Sequence, residues 1–112
     1  MRKPNVLLVV LDSVRARNTS LHGHGNQTTP YLETLTEEAH VYEQARAPSI
    51  HSVSSHASIF TGLHVSEHGV TAHESELSPE STIWHELASE QGYVTGLFSP
   101  NVVVTLSSNL AD

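Results

Sequence analysis

The sequence predicts an α/β fold, a mainly parallel sheet with flanking helices. Three observations carry that expectation. Val6 to Leu11 is apolar at every position and rich in valine, the pattern of a strand buried on both faces. Segments with helical apolar spacing then alternate with short strand-like runs. Finally, the first run ends at Asp12, placing a carboxylate at the C-terminal edge of the strand, where open α/β sheets bind ligands.

The elements follow in order. Residues Ser13 to Thr28, rich in Gly, Asn, Thr and His, read as a long loop. Pro30 is suited to the first position of a helix behind a Thr29 cap, and Tyr31, Leu32, Leu35 and Ala39 would share one face. Val41 to Ala45 is expected to be a short strand, and Ala47 to Ser55 a loop. A short helix is expected from about Ser55 to Thr61, closed by Gly62. Beyond a His-rich loop, Ser78 and Pro79 open a helix whose apolar face is Ile83, Trp84, Leu87 and Ala88, ended by Gly92. Tyr93 to Phe98 is read as the next strand, and Asn101 to Leu106 as another strand or its extended continuation. Repeats and low-complexity tracts are absent.

Bulk composition narrows the function. A chain of 112 residues has room for one domain, burying roughly two-thirds of its unfolded surface. Five Lys+Arg stand against twelve Asp+Glu, a net charge of −7, which argues against nucleic acid as a partner. The same self-repulsion is better tolerated in high salt and fits a halophilic source. The lack of cysteine excludes disulfides and Cys-based zinc sites. The run from Val6 to Leu11 is too short to span a bilayer, and no cleavage site follows it, so a cytoplasmic chain without a membrane partner is expected. Oligomeric state is left open.

Four groups of residues have chemical potential. Asp12 is placed to bind a hard divalent cation or simply to hydrogen-bond the following turn. Ser52 to Ser58 gathers hydroxyls at a helix start, where they serve either as anion ligands and a nucleophile or as caps. Nine histidines are present, and His22, His24, His51, His56, His64, His68 and His73 lie in or beside loops, open to metal, phosphate or proton-transfer roles or to plain surface positions. Arg15, three residues after Asp12, has the fork that suits a tetrahedral oxyanion, or is an ordinary surface arginine.

Taken together, these residues resemble the sulfatase family of the alkaline-phosphatase superfamily. Pro4-Asn5 followed by the apolar run and Asp12 looks like the family's opening strand and metal-binding Asp. Thr29-Pro30-Tyr31-Leu32 with Leu35 resembles its Thr-Pro-Asn-Leu-x-x-Leu helix. Ser55-His56-Ala57-Ser58-Ile59-Phe60-Thr61-Gly62, then His68-Gly69-Val70, is similar to the nucleophile helix and the His-Gly-Val behind it. Gly92-Tyr93-Val94-Thr95 matches the Gly-Tyr-x-Thr that opens a later strand.

The resemblance implies an alkaline-phosphatase-like fold and a metal-assisted hydrolase of small sulfate or phosphate esters. Asp12 and Ser52 would touch the metal, most often calcium in sulfatases. Ser52 would be the nucleophile, which sulfatases convert to formylglycine, with His56 as its catalytic partner. Arg15, His68 and Asn101 would face the substrate. Departures are also visible. Ser13 replaces the second Asp of the usual pair, and Ser54 and His56 stand where the signature has Pro and Arg. The loop from Ala47 to Ser55 is about two residues longer than expected, and Pro100, Asn101 and Val102 occupy the stretch that usually carries Lys and His. The family's downstream metal ligands have no match either. Residues 1–112 are therefore expected to be an incomplete N-terminal part of a sulfatase-like catalytic domain, inactive alone. The alternative is a non-catalytic metal- or oxyanion-binding α/β domain.

Overall fold

In the computed structural model the chain is described at residues 3–72, 75–101 and 104. His73 and most of the stretch from Asn101 to Leu106 lie outside the described residues. The chain divides into two units, residues 1–45 and 46–112.

The first unit is built from polar turns. Two 3-10 turns, Ala16–Asn18 and Ser20–His22, precede helix α1, Pro30–Leu35. Hydroxyl groups tie them together. The Thr28 hydroxyl donates to the Asn18 carbonyl at 2.8 Å and accepts from the Ser20 N–H at 2.9 Å. The Thr29 hydroxyl accepts from the Leu21 N–H at 3.1 Å, and the Thr29 N–H donates to the Ser20 hydroxyl at 2.9 Å. Thr29 is thus the N-cap residue of α1 by position, yet its side chain makes no cap bond, because it is engaged by the turn before it. The helix stops at Leu35, short of Ala39. Tyr31 and Leu35 on its expected apolar face are exposed, so nothing packs there to extend it.

The second unit has an apolar core. Helix α2, Ser52–Thr61, presents Val53, Ala57 and Phe60 at the i, i+4, i+7 spacing of one buried face. Val70, Leu77 and Val104 complete the cluster, with Trp84 packed against it. Phe60 meets Trp84 edge-to-face, ring centroids 5.4 Å apart. Gly62 closes α2 at φ 72, and its N–H returns to the Ser58 carbonyl at 2.9 Å. Helix α3, Val65–His68, lies in what reads from sequence as a loop. A capping box formed by His64 and Glu67 starts it, and the Glu67 carboxylate accepts from the His64 N–H at 2.8 Å.

Helix α4, Ile83–Ser89, begins later than Ser78-Pro79 predicts. Those residues open a separate 3-10 turn, Pro79–Ser81, and buried Thr82 caps α4 by accepting from the His85 N–H at 3.3 Å. Trp84 and Leu87 are half-buried, whereas Ile83 and Ala88 face out. Gly92 follows in the left-handed region at φ 66, and the Tyr93 N–H turns back to the Leu87 carbonyl at 2.9 Å.

The expected sheet is the main correction. Among the described residues no strand forms, so the predicted parallel α/β architecture is overturned. Val6 to Leu11 carries no regular structure, and every one of these side chains is 41% or more exposed. Val41 to Ala45 is interrupted by a turn at Glu43 and Gln44. In Tyr93 to Phe98, Val94 and Phe98 are almost wholly exposed. The physical reason is that a strand exists only as half of a ladder. Apolar, β-branched runs record a preference for burial, and without a paired neighbour the backbone N–H and C=O groups gain no ladder bonds.

Candidate active site

The strongest concentration of candidate chemistry lies at the start of α2. Ser52 occupies the first helical position, with His51 as the N-cap residue. The helix therefore begins three residues earlier than its sequence predicts, which puts Ser52 in the first turn and not in a loop. Backbone N–H groups of that turn lack intrahelical acceptors, and the helix dipole places partial positive charge there, a setting that favours an anionic ester.

His56 stands one turn further on. Its Nδ1 lies 2.8 Å from the Ser52 carbonyl. A carbonyl only accepts, so Nδ1 carries the proton and Nε2 of the neutral ring is left as a base. The ring also packs edge-to-face on Phe60 at 5.7 Å. His56 is thereby held on the same helix as Ser52 with its tautomer defined.

His68, at the end of α3, is bound at both nitrogens. Nδ1 accepts from the Val70 N–H at 3.0 Å, so Nε2 carries the proton and donates to the buried Ser58 hydroxyl at 2.9 Å. The imidazole pins the stretch after α3 to α2. Asn101 is half-buried, and its backbone bonds are local: its N–H donates to the Ser99 hydroxyl and its carbonyl accepts from Val104.

Asp12 and Arg15 belong to the first unit, and both are exposed. Asp12 sits in a turn with Ser13, whose hydroxyl is 3.5 Å from the Asp12 carboxylate. Ser13 has φ 61, a left-handed conformation that costs a non-glycine residue about 1 kcal/mol or more. Arg15 precedes the first 3-10 turn, and its carbonyl accepts from the Asn18 N–H. The structure therefore brings Ser52 and His56 together on one helix and binds His68 to that helix through Ser58, while Asp12 lies in a turn with Ser13 and Arg15 leads into the first 3-10 turn.

One network escapes the sequence reading. The fully buried Ser54 hydroxyl donates to the Ser49 hydroxyl at 2.5 Å and lies 3.2 Å from His51 Nδ1. His51 Nε2 donates to the Thr71 carbonyl at 3.1 Å, and the Ser55 hydroxyl donates to the Ser49 carbonyl at 3.1 Å. The available signal was the three-residue spacing of His51 and Ser54, which puts an N-cap side chain beside the first turn.

A divalent cation, which sulfatases generally use, finds no cluster here. Among the described residues no three His, Asp or Glu side chains converge. A single carboxylate at Asp12 falls well short of the six to eight oxygens that calcium takes. Near the other end of α2, a cleft of about 380 Å³ is lined by Phe60, Thr61, Thr82 and the carboxylates Glu80, Glu86 and Glu90. Such a lining repels an anionic ester, which leaves the Ser52 end as the better receptor. Among the described residues no helix is long and apolar enough to cross a membrane.

Comparison with known proteins agrees with the sequence pattern. The sulfatase family model matches residues 4–109. An arylsulfatase of Clostridium perfringens (strain 13 / Type A) is 33% identical over 95 residues, covering 83% of this chain and 20% of that enzyme. No solved structure matches the chain. A match to the family model over nearly the whole length makes this chain a member of the sulfatase family.

Proposed function

We propose that the chain carries the nucleophile segment of an enzyme that hydrolyses sulfate esters, or phosphate esters of the same shape, with Ser52 as the attacking residue. The observation that supports this reading best is the position of Ser52 in the first turn of α2, where helix N–H groups and the dipole favour a tetrahedral anion. Attack forms a bond from Ser52 Oγ to sulfur or phosphorus and breaks the bond to the alcohol oxygen, which leaves with a proton. His56, with Nε2 as the basic nitrogen, is the proton carrier in this reading.

Arg15, His68 and Asn101 are assigned to the substrate, and Asp12 supplies one carboxylate toward a divalent cation, calcium by preference. The chain spans only 20% of the arylsulfatase that it matches, and turnover by residues 1–112 alone is expected to be slight. Adduct formation is therefore a better test than turnover. The protein is incubated with an aryl sulfate and an aryl phosphate, and intact-mass and peptide analysis look for a covalent group on Ser52. The expected result is an adduct that disappears in Ser52→Ala. Sulfate binding with no adduct and no ester cleavage would point instead to a non-catalytic oxyanion-binding domain.

A further inference from the structure

We infer that His51 is a positioning residue that sets the register of α2 and so keeps Ser52 at its first helical position; the inference rests on the reading of Ser52 as nucleophile. It begins from a local rule that the sequence breaks. Ser is among the best N-cap residues and His is not, so a helix starting in Ile50-His51-Ser52-Val53 would ordinarily take Ser52 as its cap. Ser52 would then stand outside the first turn of the helix. In the structure the cap is His51, its side chain makes no cap bond, and Ser52 is moved one place into the helix.

The His51 ring is spent sideways instead. Nε2 holds the Thr71 carbonyl at 3.1 Å, and Nδ1 lies 3.2 Å from the Ser54 hydroxyl. Ser54, wholly buried, reaches on to Ser49 at 2.5 Å, and Ser55 holds the Ser49 carbonyl. Two flanking segments, Ser49 and Thr71, are thus fastened to the first turn of α2 through one imidazole and one hydroxyl. Sliding the helix start by one residue breaks these bonds together. Ser54 stands where the family signature carries Pro, a residue without a hydroxyl, so the clamp belongs to this sequence and not to the signature. A local rule broken with a specific compensating network is the pattern expected beside a functional group.

The test compares the whole chain with His51→Ala, His51→Gln and Ser54→Ala. Gln retains a donor for Thr71, and Ala at buried position 54 removes one oxygen without changing the apolar packing. Two readouts are taken: labelling of Ser52 by an aryl sulfonyl fluoride, followed by peptide mass analysis, and the Ser52 carbon chemical shifts, which separate an N-cap serine from one at the first helical position. Labelling is expected to fall about tenfold or more in His51→Ala and Ser54→Ala and to recover in His51→Gln, since small displacements of a nucleophile cost large factors in rate. Amide exchange at Ser58 to Gly62 should stay unchanged, showing that the helix is intact. The Ser52 shifts should move to N-cap values in His51→Ala. Unchanged labelling and shifts in both alanine variants would overturn the inference. If wild-type Ser52 takes no label, the nucleophile reading fails, and the chemical shifts alone then decide for or against the clamp.

Discussion

Residues 46–112 bury Val53, Ala57, Phe60, Val70, Leu77 and Val104 around α2. In residues 1–45 the one buried residue among those described is Thr19, and the apolar run from Val6 to Leu11 faces solvent. The second unit is held by apolar burial, whereas the first is held by hydroxyls: Thr19 on Ala16, Thr28 on Asn18, and Thr29 under Leu21. The difference matters for chemistry. Ser52 and His56 stand on a helix anchored by a core, while Asp12 and Arg15 depend on a few local bonds of about 1 kcal/mol each.

The sharpest way to break this comparison is Phe60→Ala. Removing a buried ring that also meets Trp84 and His56 costs about 3–5 kcal/mol, comparable to the whole stability of a small unit. Hydrogen exchange should show protection lost along α2 while the Leu21 amide keeps its rate. Equal acceleration at Leu21 would mean that burial supports the first unit as well.

A smaller effect is expected from Thr29→Val, which removes the acceptor of the Leu21 N–H and the partner of the Ser20 hydroxyl. A loss of about 1–2 kcal/mol corresponds to roughly tenfold faster exchange at Leu21, with α2 unchanged. If Leu21 exchange does not respond, hydroxyl bonding is not what holds this unit. The smallest change is Ser13→Gly. It relieves the left-handed backbone beside Asp12 and should stabilise that turn by up to about 1 kcal/mol, read as slower exchange at Asn18 and Thr19. Faster exchange there would show that the Ser13 side chain supports the turn.

Legibility from sequence followed the range of the interactions. The stop of α2 at Gly62 is visible as a left-handed glycine, a local signal. The start of α2 was misread by three residues because Ser52, Ser54 and Ser55 all look like caps, and the choice among them is made by Ser49 and Thr71, segments that periodicity does not see. Helix α3 is not legible because its capping box uses His64 where the usual signature has Ser or Thr. His68 was read as a substrate contact from its motif, while the tautomer that ties it to Ser58 and Val70 becomes apparent only when those groups are placed.

By itself the sequence determined the family, through four motifs in order, and the stop of α2 at Gly62. It also determined the acidic balance and the absence of cysteine. Tertiary structure decided the rest: that Val6 to Leu11 has no ladder, that Val53, Ala57 and Phe60 meet Val70, Leu77 and Trp84, and that His51 and not Ser52 caps α2. The physical reason is that helical bonds and turns close within a few residues, so local residue types specify them. Pairing, burial and hydroxyl networks close across tens of residues, and their partners are chosen by the fold.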